Sequence, residues 1–266
     1  MTRHPASVLF VTLDSCRYDT FVTANAPCLK SVGRLYKAMA PGNFTYSSHA
    51  AMFMGFTPGL AGVRESFINP KFGKIFKMAD GGFGGVGEHF MTLEGANLVD
   101  SLKRKGYFTA GSGAVQWFNP KRETGQNLTR DFHQFYYPGT TFSLQKQLAW
   151  FKSLPRDAAR PDFLFLNVGE THAPYYYEEA VWDRKINPCV PFSPNNDAVE
   201  CARRQKACLE YVDRELGSLL EEFRESTTIV CADHGDCWGE DGLWQHSIHH
   251  QKVLEVPLLF RLGQPL

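Results

Sequence analysis

The chain carries no surplus of charge, because 28 Lys and Arg are matched by 28 Asp and Glu across 266 residues. That balance leaves no basic footprint for nucleic acid and no polybasic anchor for an anionic membrane. Long apolar runs are missing too. The first, Val8 to Val11, ends within a few residues at Asp14, far short of the roughly 18 residues of a membrane span. No signal-peptide pattern follows Met1, so a cytoplasmic location is expected. The seven cysteines lie at 16, 28, 189, 201, 208, 231 and 237 with no C-x-x-C pair. Reduced thiols are the expectation, with Cys201 and Cys208 sharing one packed helix face. No G-x-x-x-x-G-K-[ST] loop is present. Gly82-Phe-Gly84-Gly-Val-Gly87 fits G-x-G-x-x-G literally, but no strand precedes it and it reads as a glycine loop. Disorder is excluded by 43% hydrophobic against 21% charged residues.

What the chain does contain is strands alternating with helices. Ser7 to Leu13 is a short, continuous apolar run of β-formers, which suits a strand buried on both faces of a parallel sheet. Pro27 opens a predicted helix through Leu29, Val32, Leu35 and Tyr36. A helix over 98–105, a strand near 107–111 and a buried strand over 162–168 follow. The longest helical pattern is 198–223, with an apolar stripe of Val212, Leu216, Leu219 and Leu220. Strands at 227–231 and 256–261 close the series, and Pro257 suggests an edge or a strand start. The pattern predicts an α/β fold with a doubly wound, largely parallel sheet flanked by helices. With no repeat, linker or composition break, 1–266 is read as one domain. The stretches 115–160 and 176–197 are aromatic- and proline-rich without clear periodicity, and are expected as loop or cap insertions.

In such sheets ligands bind beyond the carboxyl ends of the strands. The first strand runs into Asp14-Ser-Cys-Arg17, the strand at 162–168 into Gly169-Glu170-Thr-His172, and that at 227–231 into Ala232-Asp233-His234-Gly235-Asp236. Three distant strands delivering Asp, Glu and His to one edge point to a shared metal site. Asp and His together suit Zn²⁺ or Mn²⁺. Residues 43–55 add hydroxyls (Thr45, Ser47 and Ser48) where a loop becomes a small-residue helix ending at Gly55. They serve either as capping side chains or, at a helix N-terminus that attracts anions, as a nucleophile. Arg17 is expected to pair with a carboxylate, and His133, His249 and His250 to pack or face solvent.

Four motifs occur in order: Asp14-Ser-Cys-Arg17-x-Asp19, Thr45-x-Ser-Ser-His-Ala-Ala-x-x-x-Gly55, His172-x-Pro-Tyr175 and Asp233-His234-Gly235. Together they resemble the alkaline phosphatase superfamily, in its sulfatase-like branch. The resemblance implies Asp14, Asp233 and His234 as metal ligands, joined by Thr45. It places Thr45 where sulfatases carry the cysteine that becomes formylglycine, and threonine cannot undergo that conversion. His49 stands in the place of an arginine, and Ser15 in that of a second aspartate. The resemblance therefore favours phosphoryl over sulfuryl chemistry, with Thr45 as nucleophile and a phosphothreonine intermediate.

By the same resemblance His172 and His246 bind substrate oxygens, protonate the leaving group, or hold a second metal with Glu170. One divalent ion, Zn or Mn, is expected at the main site, and the donor set for a second is incomplete. The implied partner is a small anionic ester, a phosphoric mono- or diester. Two alternatives are a sulfatase or phosphonate hydrolase on the same site, and a non-catalytic anion- or metal-binding protein. The chain stops soon after its last strand, so the C-terminal subdomain common in sulfatases is expected to be absent.

Overall fold

The computed structural model describes residues 3–55 and 97–263, and the backbone alone of 76–80 and 89–93. The glycine run 82–87 lies outside the described residues. In chain order the elements are β1 (Val8–Leu13), α1 (Tyr18–Thr23), α2 (Pro27–Lys30), β2 (Tyr36–Met39), α3 (Thr45–Met54), β3 (Phe76–Asp80) and β4 (His89–Leu93). Then come α4 (Leu98–Arg104), β5 (Phe108–Gly113), α5 (Glu123–Thr129), β6 (Gln134–Tyr136), α6 (Leu144–Ser153) and β7 (Asp162–Val168). The chain ends with α7 (Ala198–Glu222), β8 (Thr227–Ala232), β9 (Cys237–Trp238), β10 (Trp244–Gln245), α8 (Gln251–Leu254) and β11 (Glu255–Arg261).

A seven-stranded sheet in the order β2-β11-β8-β1-β7-β5-β6 forms the middle layer. The five strands from β8 to β6 run parallel, while β11 is antiparallel to both its neighbours. β1 and β7 lie at the centre and are buried almost throughout, as their unbroken apolar runs require. Side chains alternate across the sheet. Leu9, Val11 and Leu13 with Leu164, Leu166 and Val168 meet Leu209, Val212 and Leu216 of α7 on one face. Phe10, Phe163 and Phe165 meet Tyr46 and Phe53 of α3 with Phe118 and Phe132 on the other. Thr12 of β1 and Asn167 of β7, opposite each other in register, belong to this second face. It is the face on which α3 packs.

Four sequence readings change. A strand, β3, does precede the glycine run 82–87, but it pairs antiparallel with β4 rather than in a parallel sheet. The helix expected from Pro27 to Tyr36 stops after one turn at Lys30, and Tyr36 opens strand β2. Gly33 lies so close to the Phe260 carbonyl that a Cβ there would sit 2.4 Å from its oxygen. Pairing with β11 and stacking of Tyr36 on Phe260 replace further helical turns. Pro257 lies within β11, a strand flanked on both sides. Its missing N–H is tolerated because pairing with β8 begins only at Leu258. The stretch 115–160 holds α5, β6 and α6 rather than loops. β6 forms the sheet edge, and Leu144, Leu148 and Phe151 of α6 enter the core at helical spacing. By contrast 176–197 has no regular element.

Candidate active site

Asp14 and Ser15 continue β1 past its carboxyl end, and Asp233 and His234 do the same for β8. Since β1 and β8 pair in register from Val8↔Thr227 to Leu13↔Ala232, the two acids emerge side by side. Thr45, the first residue of α3, is brought against them. The helix is anchored there by Ser48, whose hydroxyl donates to the Asp233 carbonyl at 2.7 Å. It ends at Gly55, which takes the left-handed conformation (φ 63°) that caps helices. Thr45 is the first helical residue and Phe44 the N-cap, with no side-chain cap bond. The capping alternative for Thr45 therefore fails.

Asp14, Thr45, Asp233 and His234 are all buried. The Thr45 hydroxyl donates to Asp14 Oδ2 at 3.3 Å and lies 3.4 Å from His234 Nε2. His234 Nε2 is 3.8 Å from Asp14 Oδ1 and 3.6 Å from Asp233 Oδ2. His234 Nδ1 faces the Gly235 carbonyl at 3.0 Å. A carbonyl only accepts, so Nδ1 carries the proton and Nε2 presents its lone pair to the cluster. Burial, with His246 nearby, pushes the His234 pKa down to about 3, which keeps that lone pair free.

The acids lack a counter-charge. Among the described residues no Lys or Arg pairs with Asp14 or Asp233. Asp233 Oδ1 accepts from the backbone N–H groups of Ser15 and His234 at 3.1 and 2.9 Å, while Oδ2 has no partner. Burial and the neighbouring Asp14 hold the Asp233 carboxyl well above the usual range. A buried orphan oxygen beside a second acid and an imidazole lone pair fits a divalent cation, which supplies the missing charge. One donor atom from each of Asp14, Asp233 and His234 lies within 4.8 Å of the others.

A second group adjoins the first. His246 Nδ1 lies 2.8 Å from Asp236 Oδ1, which fixes its proton there and leaves Nε2 free. The His246 ring stands 4.4 Å from that of His234 and 5.3 Å from that of His172, centroid to centroid. His172 Nδ1 is held by the Ala173 carbonyl at 2.7 Å. Burial alone would discourage a charge on His246, but Asp236 outweighs it and raises the pKa. His234, Asp236 and His246 form a second triplet of donors. Asp236 ends the Asp-His-Gly-Asp run in the sequence, yet only the fold shows that it carries His246. Tyr175 backs this carboxylate, donating to Asp236 Oδ2 and accepting from Trp238 Nε1, both at 2.8 Å.

Glu170 is absent from the cluster. Its Oε1 accepts from Leu144 N at 2.8 Å, so it caps α6 on the far side of the β7 turn. The second-metal role considered for it is corrected accordingly. Arg17 pairs with Asp19 and Glu240, at 2.6 and 2.7 Å, and stacks over Trp238. It braces the segment bearing Asp236, as a structural ion pair should. Gln205 had no sequence signal, being one polar residue on a long helix. Its amide donates to the carbonyls of Ser15 and Thr171 and accepts from Arg17 N and Thr20 Oγ1, tying the β1 and β7 ends together.

The family model described as Sulfatase matches residues 7–263. The chain belongs to the sulfatase family. No curated protein sequence matches it significantly. Among solved structures, the C-terminal periplasmic domain of the phosphoethanolamine transferase EptC from Campylobacter jejuni is 15% identical with a TM-score of 0.62. The match covers 98% of this chain and 80% of that one. The same domain of EptC from Escherichia coli, in complex with Zn, is 15% identical with a TM-score of 0.65, covering 98% and 74%. The lipoteichoic acid synthase LtaP from Listeria monocytogenes is 10% identical with a TM-score of 0.56, covering 97% and 66%. These likenesses establish the shared α/β core of the alkaline phosphatase and sulfatase superfamily. Among the described residues no helix is long and apolar enough to cross a membrane.

Proposed function

We propose that this member of the sulfatase family is a metal-dependent enzyme that hydrolyses or transfers phosphoric esters through Thr45. The observation that carries the reading is the Thr45 hydroxyl at the first turn of α3, 3.3 Å from Asp14 and 3.4 Å from the His234 lone pair. Threonine is unable to become formylglycine, and the zinc complex of a phosphoethanolamine transferase with this fold supports phosphoryl chemistry at a zinc site. Asp14, Asp233, His234 and Thr45 would hold the ion. When bound, it acidifies the hydroxyl and polarises a phosphoryl oxygen.

The chain's own residues supply the rest. The free N–H groups of the first α3 turn face an incoming anion. The Thr45 hydroxyl releases its proton to solvent and its oxygen attacks phosphorus in line. An O–P bond forms as the bond to the ester oxygen breaks, and that oxygen departs with a proton from His246 or His172. Water or an acceptor alcohol then cleaves the phosphothreonine. Asp236, bound to His246 Nδ1, stabilises the charge on that imidazole and fixes its orientation.

The test is turnover of zinc-loaded protein on aryl phosphate mono- and diesters, a phosphonate and an aryl sulfate. It is paired with mass spectrometry of the acid-quenched enzyme. A phosphoryl group on Thr45, and loss of turnover in Thr45→Ala, are expected. Preference for the sulfate ester, or full turnover in Thr45→Ala, would overturn the reading. Zinc binding with no turnover on any ester would favour the non-catalytic alternative.

A further inference from the structure

Five buried residues around the nucleophile form a closed hydrogen-bond circuit, and the proton on each link is determined by its partners. Asn167 Oδ1 accepts from the backbone N–H of Ala114 at 3.3 Å, which fixes the orientation of its amide. Its Nδ2 then donates twice, to Thr12 Oγ1 and to Asp14 Oδ2, each at 3.3 Å. Thr12 Oγ1 lies 2.9 Å from His49 Nε2, and His49 Nδ1 lies 2.7 Å from the Thr45 carbonyl. That carbonyl only accepts, so the proton sits on Nδ1. In a neutral ring Nε2 must then accept, and Thr12 gives it its single proton. Thr45 Oγ1 closes the loop by donating to Asp14 Oδ2 at 3.3 Å.

The fold explains why these groups meet. Thr12 and Asn167 are register partners on the α3 face of the central strands. Phe10, Phe163 and Phe165 line that face beside them. His49 is fully buried among Phe53, Phe118 and Phe165, and its ring would be costly there without partners for both nitrogens. The circuit supplies both. It joins the Thr45 backbone to its own hydroxyl through two strands and Asp14, so a shift at either end breaks a buried bond.

We propose that Thr12, His49 and Asn167 are positioning residues that hold the Thr45 hydroxyl and the Asp14 carboxylate in the geometry that zinc and substrate require. The proposal rests on Thr45 as the nucleophile and assigns the three residues no contact with the reacting atoms. Partners of this kind behind metal ligands are worth about 10–100-fold in affinity or activity.

The test combines two readouts. Nitrogen-15 NMR of the wild type, with the His49 signals identified by their absence in His49→Gln, should show a neutral ring protonated at Nδ1. This is the tautomer that free imidazole disfavours. Zinc titration and aryl phosphate kinetics on Thr12→Val should show affinity about 10-fold weaker and kcat reduced about 10–100-fold, with KM nearly unchanged. Thr12→Ser, which keeps the hydroxyl, should restore both. A ring protonated at Nε2, or a Thr12→Val protein that binds zinc as the wild type does, would overturn the circuit. If Thr12→Val does not fold, the wild-type tautomer decides alone. A wild type that binds no zinc refutes the functional reading instead, and the tautomer still decides the circuit.

Discussion

Replacing Glu170 by Gln separates a structural carboxylate from a metal ligand. Glu170 is 2% exposed and caps α6 through Leu144 N, and its Oε2 has no partner. Burial outweighs its backbone hydrogen bonds and raises its pKa from 4.5 to about 7. Because the folded value lies above the unfolded one, the folded protein holds this proton more tightly. The resulting stabilisation is complete below pH 4.5 and is lost as pH rises through about 7. At about 1.4 kcal/mol per pKa unit, that gap corresponds to about 3 kcal/mol. Gln keeps the acceptor for Leu144 N and has no proton to lose. Glu170→Gln should therefore match the wild type near pH 4 and exceed it by about 3 kcal/mol near pH 8. Urea unfolding of both proteins at a series of pH values measures the difference directly. Zinc content should be unchanged. A difference that stays flat with pH, or loss of zinc in the variant, would refute the assignment of Glu170 to the α6 cap.

Asp233→Ala should lose zinc, with affinity reduced by more than about 100-fold, as measured by metal analysis after dialysis; unchanged content would sink the site. For the wild type, chelation from a zinc concentration about 1,000-fold above Kd removes about 4 kcal/mol. Thermal scans should then show a midpoint about 8–16 °C lower, and the same chelator should barely move Asp233→Ala. Tyr175→Phe leaves Trp238 Nε1 and Asp236 Oδ2 unpaired, at about 1–3 kcal/mol each. Urea unfolding should record that loss, and kcat should fall as His246 loses its fixed support; wild-type values for both would contradict the brace. Gln205→Leu removes four hydrogen bonds from the β1 and β7 ends and should cost about 3 kcal/mol or more, which denaturant midpoints will show.

Much of the site is legible in the chain because it sits where strands end. Asp14, His172, Asp233 and His234 follow buried apolar runs whose β character is unmistakable, and in a doubly wound sheet those ends share an edge. Thr45 is legible for a related reason, since the hydroxyl-rich loop entering a small-residue helix marks a helix start. Most of the misreadings have a common source. Tyr36, Pro257 and β6 depend on which strand pairs with which, and local periodicity carries no information about neighbours distant in sequence. The helix α6 is different, since Leu144, Leu148 and Phe151 already stand at helical spacing in the chain.

Charge balance and the lack of long apolar runs narrowed the function classes before any fold was known, and the ordered motifs narrowed the chemistry. Those properties are local, so a linear reading reaches them. What only the tertiary structure decided is which polar groups face one another. Glu170 and Asp236 both follow a strand by a few residues. One turns away to cap α6 while the other carries His246 beside the acids. Thr12 and Asn167 look like ordinary strand residues until β1 and β7 pair in register and place both under His49. A hydrogen bond requires atoms about 3 Å apart at defined angles, and residues 155 apart in sequence meet that condition only after the sheet has formed.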